Sequence, residues 1–455
     1  MRHNNNPFLP GKPVPSEQLK GRDNLIRRIV NNIFKGQSTI IVGPFRSGKT
    51  SILNYLSDSN KRNQLYEEKS QNVIFSSIDV NEIFDGQCNK NEFWLRVLEP
   101  LEDKITNNPA LDQAYKTCQE KNFSTDSLDK LLKQMEKNFQ LVLMLDEFHV
   151  LLQHPTLGQG DFFASLRTLA SLNGQALTLV MTSNILLSRL NEDSKEYTRN
   201  PTGSPYFNFM DEEALKTLSS SAVDELLGQD KKHFNDEDRQ FIKNMTGGYP
   251  YFLQVAASEL WELYEDEPKK DAGERRKQAQ QKFYDKVEDT LENIWQSWPS
   301  KTQKAFASLF ANTPEPHSEE IQNKLKELER YGFVGKTGVE KTGDWKICSH
   351  VWKDFVRKQL ARKNTNEVKN SSESHFVSES EKADEVLNNL WKPTFLILML
   401  IGTFVGNGIG VFLITNGISL SDPLFVYIIK FVFASVGAFF GYQIAKKLDR
   451  IGKSG

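Results

Sequence analysis

The feature that most constrains the fold is a glycine-rich loop between an apolar run and a helical pattern, in "STIIVGPFRSGKTS" at residues 38–51. Its spacing is Gly43-x4-Gly48-Lys49-Thr50. Glycines at these positions let backbone N–H groups turn inward around a phosphate, and the lysine and hydroxyl that follow supply a counter-charge and a Mg²⁺ ligand. The alternative, a surface turn rich in Gly and Lys, is disfavoured because a strand-like run precedes the loop and a helical pattern follows it.

The whole loop is therefore predicted to bind a nucleotide. The predicted contacts are Gly43, Pro44, Arg46, Ser47, Gly48, Lys49, Thr50 and Ser51. Lys49 is expected to neutralise the β- and γ-phosphate oxygens, and Thr50 is expected to ligate Mg²⁺.

Two acidic residues, Asp146 and Glu147, end a later apolar run in "QLVLMLDEFHVLL". In a protein with a phosphate loop, Asp146 would hold Mg²⁺ through water and Glu147 would activate the attacking water. An ordinary strand that ends in a solvated turn is the alternative. The acidic pair, in a chain without the guanine-reading pattern Asn-Lys-x-Asp, favours ATP over GTP. These residues predict an ATPase that uses ATP and Mg²⁺.

The next apolar run, "ALTLVMTSN", ends in polar residues, of which Asn184 is the predicted catalytic contact to the γ-phosphate or to water. The carboxyl ends of parallel strands converge on the ligand crevice, which favours this role over a simple turn. Arg167 and Arg189 are candidate arginines for the transition state. Each would act mainly from a neighbouring subunit, and a solvated helix arginine is the alternative for both.

The order of the apolar runs predicts an α/β fold. "STIIVG", "NVIFSSIDV", "LVLMLDEF" and "ALTLVMTSN" are β-rich and alternate with helical stretches. Such alternation indicates a parallel sheet covered by helices on both faces, as in P-loop NTPases. From about residue 213 to 265 the pattern predicts helices only.

Four segments in order, "NPFLPGKPVPSEQLKGRDNLIRRI", "GPFRSGKTS", "LMLDE" and "TGGYPYFLQ", resemble the AAA+-like STAND ATPases of prokaryotes over about residues 6–360. The resemblance implies a P-loop core, a helical lid, a winged-helix domain and a nucleotide-controlled switch that often forms oligomers. Phe8 and Arg22 would belong to the segment that covers the adenine, and Pro250 would contact the nucleotide from the lid. Many members carry a sensor arginine where this chain has Asn184.

The predicted boundaries follow from this resemblance and from composition. They are an adenine-side arm at 1–24, the ATPase core at 25–210, the lid at 211–268, a charged connecting helix at 269–292, a winged helix at 293–362, a flexible linker at 363–390, a transmembrane hairpin at 391–445 and a basic tail at 446–455.

Charge argues against DNA as the main partner. The formal net charge is -2, and the second long helix of the predicted winged helix, "EEIQNKLKELERYG", mixes acids and bases. A DNA-recognition helix is normally more uniformly basic. Lys336, Lys341 and Lys346 in the predicted wing keep DNA binding as the less favoured alternative to packing or protein interaction.

Two apolar segments near the end, 394–414 and 423–445, are long enough to cross a bilayer. The loop between them lacks Lys and Arg, whereas four basic residues follow the second segment. Positive charge stays cytoplasmic, so both ends of the hairpin and the ATPase are predicted to lie inside. A buried soluble hairpin is the alternative. The polar start predicts no signal peptide, and three widely spaced cysteines predict a reducing compartment.

Glycines recur every fourth residue in both segments, at Gly402, Gly406 and Gly410 and at Gly437 and Gly441. Small residues at this spacing favour close helix contact in lipid, so a homo-oligomer is expected. The leading hypothesis is a membrane-anchored ATPase switch in prokaryotic signalling or defence. The alternatives are a membrane-tethered DNA-binding ATPase of the replication or transposition type, and a nucleotide-binding scaffold without turnover.

Overall fold

The computed structural model describes residues 6–84, 88–136, 138–198, 204–230, 232–310, 318–337 and 344–362. The chain divides into two compact units, Met1–Ala361 and Arg362–Gly455. The predicted linker, transmembrane hairpin and basic tail lie outside the described residues. No helix within the described ranges is both long and apolar enough to span a membrane.

Five parallel strands form the central sheet. They are β1 Thr39–Val42, β2 Val73–Asp79, β3 Gln140–Asp146, β4 Leu177–Ser183 and β5 Asp211–Ala214, in the spatial order β2-β3-β4-β1-β5. The inner strands β1, β3 and β4 are buried along their whole length. A strand buried on both faces needs a continuous apolar run, which is the pattern that the sequence shows. The predicted parallel α/β sheet is confirmed.

Helices cover the sheet and continue beyond it. Their bounds are α1 Asp23–Lys35, α2 Lys49–Ser57, α3 Arg62–Tyr66, α4 Lys90–Leu98, α5 Glu102–Thr106, α6 Pro109–Glu120, α7 Thr125–Met135, α8 Gly160–Leu172, α9 Leu187–Tyr197, α10 Ser220–Leu227, α11 Asp236–Thr246, α12 Pro250–Asp266, α13 Ala272–Ser297, α14 Ser300–Ser308, α15 Glu319–Tyr331 and α16 at 350–362. Short 3₁₀ turns lie between some of them, including Phe148–Gln153 directly after β3.

The two faces of the sheet bury separate apolar clusters. Ile40 of β1 and Leu143 of β3 belong to the larger cluster, whereas their neighbours Ile41 and Val142 belong to the smaller one with α1 and α2. Successive strand residues point to opposite faces, so one apolar run supplies both clusters. This arrangement fixes the carboxyl ends of β1, β3 and β4 at one edge of the sheet.

Strand β5 corrects the predicted start of the helical lid. The sequence predicts helices from about residue 213, but Asp211–Ala214 pairs in parallel with β1 as an edge strand. Its acidic residues carry no strand signal, because edge pairing is made by the backbone. Arg28 of α1 pairs with Glu213 at 2.6 Å, and Asn32 donates to Asp211. The lid, which comprises α10–α12, therefore begins after the strand.

The long helix α13 corrects a second boundary. The charged connecting helix is predicted to end at residue 292, yet α13 continues to Ser297. Phe283, Val287, Leu291 and Ile294 are all buried on it. Since these apolar residues recur at helical spacing across residue 292, nothing in the packing ends the helix there.

The C-terminal module of this unit comprises α14, α15, a two-stranded antiparallel sheet and α16. The strands are β6 Val334–Lys336 and β7 Trp345–Ile347. Trp298 stacks on Trp352 with ring centroids 5.3 Å apart, and Phe333 packs against both rings. Lys341 lies outside the described residues. This aromatic cluster joins the end of α13 to the small sheet and α16.

Candidate functional site

The glycine-rich loop follows β1 and ends where α2 begins at Lys49. Its two glycines are required for different reasons. Gly48 has a φ of 96°, a left-handed conformation that side chains disfavour, and a Cβ there would meet no atom within 4 Å. A Cβ on Gly43 would instead lie 2.6 Å from the Ser47 Oγ. The first glycine thus permits tight packing against Ser47, and the second supplies a left-handed backbone conformation at the start of α2.

A cavity of about 310 Å³ lies over this loop. It is lined by the loop residues from Arg46 to Ser51, by Arg22 of the arm, by Glu147, and by Pro250 of the lid. Leu9, Gln18 and Leu226 add apolar and polar surface from the arm and the lid. The structure thus brings together site residues that the sequence predicted from separate parts of the chain, and Gly43 and Pro44 lie at the base of the loop.

Unsatisfied polar atoms at the cavity fit an anionic ligand. Arg22 is 9 % exposed, and its Nη2 has no hydrogen-bond partner among the described residues; the Ser47 Oγ also lacks one. Burial lowers the pKa of Arg22 to about 10. A buried cation without a counter-ion is costly, and a phosphate-bearing ligand would reduce that cost.

The residues predicted to hold Mg²⁺ are in contact. The Thr50 Oγ1 donates to the Asp146 Oδ2 at 2.7 Å, and the Thr182 hydroxyl donates to the other carboxylate oxygen. Thr182 in turn accepts from the Glu147 N–H at 2.9 Å. Hydroxyl and carboxylate oxygens are the ligands that Mg²⁺ prefers. Thr50 and Asp146 could therefore hold the ion, with Thr182 fixing the carboxylate.

Lys49 lies at the centre of the site and is almost fully buried. Its Nζ donates to the Asn184 Oδ1 at 2.6 Å and to the Gly43 carbonyl at 3.2 Å, and it lies 3.2 Å from the Glu147 Oε1. Burial lowers the pKa of Lys49, and the Glu147 carboxylate partly offsets this. Burial likewise raises the pKa of Glu147, against the opposing effect of Lys49. The two groups therefore stabilise each other's charged forms.

Glu147 has an unusual backbone conformation. Its φ is 55°, which is left-handed for a residue with a side chain. Such strain persists where surrounding contacts impose it, and it is common at functional sites. Directly after this residue, Phe148 is buried in the core, while His149 lies beside the site, with its Nδ1 3.6 Å from the Glu147 Oε2. The sequence prediction gave His149 no role, although a histidine two residues after the acidic pair was the available signal.

The lid contacts the loop through two tyrosines. The Tyr249 hydroxyl donates to the Phe45 carbonyl, and the Arg46 guanidinium lies 4.4 Å from the centre of the Tyr251 ring. Pro250 between them begins α12, a position that proline tolerates because the first helical N–H groups have no partner within the helix. The sequence pointed to Pro250 but not to the hydroxyl of Tyr249.

Phe8 does not line the cavity, which corrects its predicted contact to the nucleotide. Its buried ring stacks on Phe234 with centroids 5.5 Å apart. The next residue, Leu9, reaches the cavity and donates its N–H to Gln254 of α12. Phe8 thus anchors the arm on the lid, since an aromatic ring gains more from burial than from an open cavity.

The candidate arginines lie away from the cavity. Arg167 donates to the Pro205 carbonyl at 3.1 Å and lines a separate surface pocket with Leu172. Arg189 pairs with Asp193 at 2.7 Å. Neither lines the cavity of its own chain, and a role in a neighbouring subunit stays a prediction.

A parallel sheet, a glycine loop at the end of β1 and an acidic pair at the end of β3 together define a P-loop ATPase domain. Residues 19–342 match the family described as the AAA-like domain, and the chain belongs to that family.

Solved structures add distant likenesses. The Walker-type ATPase PABY2304 of Pyrococcus abyssi is 16% identical with a TM-score of 0.46, over 75% of this chain and 97% of that chain. The Aeropyrum pernix ORC2 protein is 14% identical with a TM-score of 0.40, over 78% and 97%. The STAND protein PH0952 from Pyrococcus horikoshii is 14% identical with a TM-score of 0.33, over 73% and 42%. No curated protein matches the chain.

Proposed function

We propose that this chain binds and hydrolyses ATP as a membrane-anchored switch of the STAND type. The observation that carries the hydrolytic part is the contact of Lys49 with both Glu147 and Asn184 at a cavity built by the glycine loop. A phosphate-neutralising lysine, a carboxylate base and a polar strand tip are the groups that phosphoryl transfer to water requires.

Each residue has a distinct role in this mechanism. The loop N–H groups and Lys49 hold the phosphates, and Asn184 orients the water. Glu147 accepts the proton as the water oxygen bonds to the γ-phosphorus and the bond to the β–γ bridging oxygen breaks. Bound Mg²⁺, held by Thr50 and Asp146, would supply charge neutralisation. The products are ADP and inorganic phosphate.

Two substitutions test these roles. Lys49→Ala should abolish measurable ATP binding and turnover, whereas Glu147→Gln should keep binding and lower kcat by about 10²- to 10³-fold. Isothermal titration with a non-hydrolysable analogue and phosphate release measure the two effects, and GTP competition tests the base preference. Lys116→Ala and Glu92→Gln, which remove surface ion-pair partners on other helices, are the matched controls. Undiminished turnover in Lys49→Ala and Glu147→Gln would refute the site.

The switch part is supported by contacts that join the loop, the lid and the C-terminal module. The Tyr249 hydroxyl bonds to the loop, and its ring stacks on Phe333 of the C-terminal module at 5.8 Å. The backbone of 217–218 bonds to both Gly248 and Tyr331. A shift of the loop on nucleotide binding would therefore move the lid and the module. Nucleotide-dependent protection of the α12 and α15 amides from hydrogen exchange is the expected result, and identical exchange with and without the analogue would contradict it.

We interpret 293–362 as a winged helix that contacts protein, with DNA binding as the alternative. Three basic residues of its helices pair with carboxylates: Lys301 with Glu320, Lys324 with Glu327, and Arg330 with Glu212 of β5. Paired cations contribute less to phosphate binding. Mobility shifts with duplex DNA across a salt series decide between these roles. Tight binding with a steep salt slope would favour the DNA alternative.

The membrane part rests on the apolar segments 394–414 and 423–445 alone. We propose that they cross the membrane as a hairpin with the ATPase on the cytoplasmic side. Fractionation of the full chain and of a chain ending at residue 390 tests this. The full chain should sediment with membranes and the shorter chain should not. Recovery of the full chain in the soluble fraction would refute the anchor.

We further propose a homo-oligomer in which Arg167 acts on the site of a neighbouring subunit. Light scattering of the purified chain with and without the analogue gives the subunit number. Arg167→Ala should lower kcat only at concentrations where the oligomer forms. An unchanged rate for the assembled Arg167→Ala variant would assign Arg167 a surface role. That outcome would leave the test of the phosphate site by Lys49→Ala unchanged.

A further inference from the structure

The amide of Asn184 has three neighbours, each from a different part of the site. Its Oδ1 accepts from the Lys49 Nζ at 2.6 Å. Its Nδ2 lies 3.0 Å from the Glu147 Oε2 and 3.3 Å from the His149 Nε2. Both hydrogens of the amide nitrogen therefore have an acceptor within reach.

Charge fixes the orientation of this amide. If the amide were rotated by half a turn, its nitrogen would face the Lys49 ammonium, and its oxygen would face the Glu147 carboxylate. Both contacts would then join like partners, two donors or two acceptors, and both would be repulsive. The oxygen must therefore lie toward Lys49 and the nitrogen toward Glu147 and His149.

This orientation in turn fixes the protonation of His149. Its Nε2 faces an N–H donor and must accept, so the ring proton of the neutral imidazole lies on Nδ1. Burial, reinforced by the Lys49 ammonium, lowers the pKa of His149 to about 4, which agrees with a neutral ring at pH 7. A neutral histidine of this tautomer accepts from Asn184 on one side and offers a donor on the other.

The Nδ1 donor faces Glu147. It is buried and has no hydrogen-bond partner among the described residues, and it lies 3.6 Å from the Glu147 Oε2. A movement of a few tenths of an ångström would bring the two atoms within hydrogen-bond distance. Phosphates bound at Lys49 would compete with Glu147 for the lysine charge, and Asn184 and His149 are the other side chains beside the Glu147 Oε2.

We propose that His149 is a positioning residue for hydrolysis: its Nε2 fixes the Asn184 amide, and its Nδ1–H offers the Glu147 carboxylate a second partner. The proposal rests on the proposed ATPase function. His149 does not line the cavity, and its site contacts are with Asn184 and Glu147 rather than with the glycine loop. Its removal should therefore change turnover and leave nucleotide binding intact.

The test compares His149→Leu with His149→Gln in the full chain. Leucine has no acceptor for the Asn184 amide, whereas the glutamine amide can place an oxygen near the Nε2 position. We expect His149→Leu to lower kcat by about 10- to 100-fold with a Kd for the non-hydrolysable ATP analogue within about threefold of wild type. His149→Gln should recover most of the lost kcat. If the leucine variant fails to fold, as judged by its melting curve, His149→Ala takes its place.

His154 provides the matched control. It is buried five residues further on, and its ring nitrogens contact the Ile83 carbonyl and the 156–157 segment rather than the site. His154→Gln should lower the melting temperature without a selective loss of kcat.

Each result then has one meaning. Wild-type kcat in His149→Leu, an equal loss of kcat in His149→Gln, or a parallel loss of analogue affinity would overturn the positioning role while the ATPase assignment stands. A wild-type rate no higher than that of Lys49→Ala would overturn the proposed function and the positioning role together.

Discussion

Tyr249 offers the sharpest test of the packing that joins the phosphate loop to the rest of the molecule. Its side chain is 2 % exposed, its hydroxyl donates to the Phe45 carbonyl, and its ring lies 4.7 Å from the Phe252 ring and 5.8 Å from the Phe333 ring. The hydroxyl and the ring make separable contributions. Tyr249→Phe removes only the hydroxyl, and Tyr249→Ala removes both.

The expected magnitudes differ severalfold. One hydrogen bond contributes about 1 kcal/mol net. Tyr249→Phe should therefore lower the free energy of unfolding by about 1 kcal/mol. Deleting a buried aromatic ring leaves a cavity as well, and Tyr249→Ala should lower it by about 3–5 kcal/mol.

Urea unfolding followed by tryptophan fluorescence measures both changes. Trp298 lies 5.2 Å from Phe333, the ring that stacks on Tyr249, and it is one of the seven tryptophans whose emission follows unfolding. Tyr197, which is 48% exposed, is the control, and Tyr197→Ala should cost under about 0.5 kcal/mol. An equal loss for the phenylalanine and alanine variants would refute the importance of the ring. A loss under about 1 kcal/mol for Tyr249→Ala would refute the packing argument altogether.

Three further predictions concern the arm and the site. Phe8→Ala should destabilise the chain by about 3 kcal/mol and speed proteolysis of the arm, since the buried stack on Phe234 is lost; an unchanged cleavage rate would contradict the anchor. Because burial raises the pKa of Glu147, kcat should fall on acidification with a midpoint above 4.5, and a midpoint at or below that value in a pH–rate profile would contradict this. His149 has a pKa of about 4 instead of 6.5, so the unfolded chain takes up this proton first as the pH falls. The contribution of His149 to the free energy of unfolding, about 3 kcal/mol, should be fully present above pH 6.5 and lost by about pH 4. Urea unfolding of His149→Gln should therefore show a flatter pH dependence than that of the wild type. Equal slopes would count against a buried neutral His149.

The residues around the glycine loop show how far local spacing predicts this site. A few adjacent residues set the geometry of the loop that holds Gly43, Gly48, Lys49 and Thr50, so the role proposed for them follows from their order in the chain. Asp146 follows from the same logic, because an acidic residue at the end of a buried parallel strand must lie at the edge where ligands bind.

Other residues could not be predicted in this way. The Tyr249 hydroxyl reaches the Phe45 carbonyl, a contact between residues 204 positions apart in the chain. Phe8 was predicted to contact the nucleotide, yet its ring is buried against the lid. In both cases the deciding quantity is the relative position of the arm, the lid and the loop, which local patterns do not contain.

The sequence by itself determined the parallel sheet, the phosphate loop and the acidic pair. The periodicity of the apolar residues and the spacing of the glycines and polar residues specify strands, turns and helices locally. Only the tertiary structure decided that Asp211–Ala214 completes the sheet and that His149 lies beside Asn184. An edge strand pairs through backbone atoms that every residue carries, and His149 reaches the site through the left-handed turn at Glu147. Neither leaves an apolar pattern in the chain, since both depend on where other elements place the backbone.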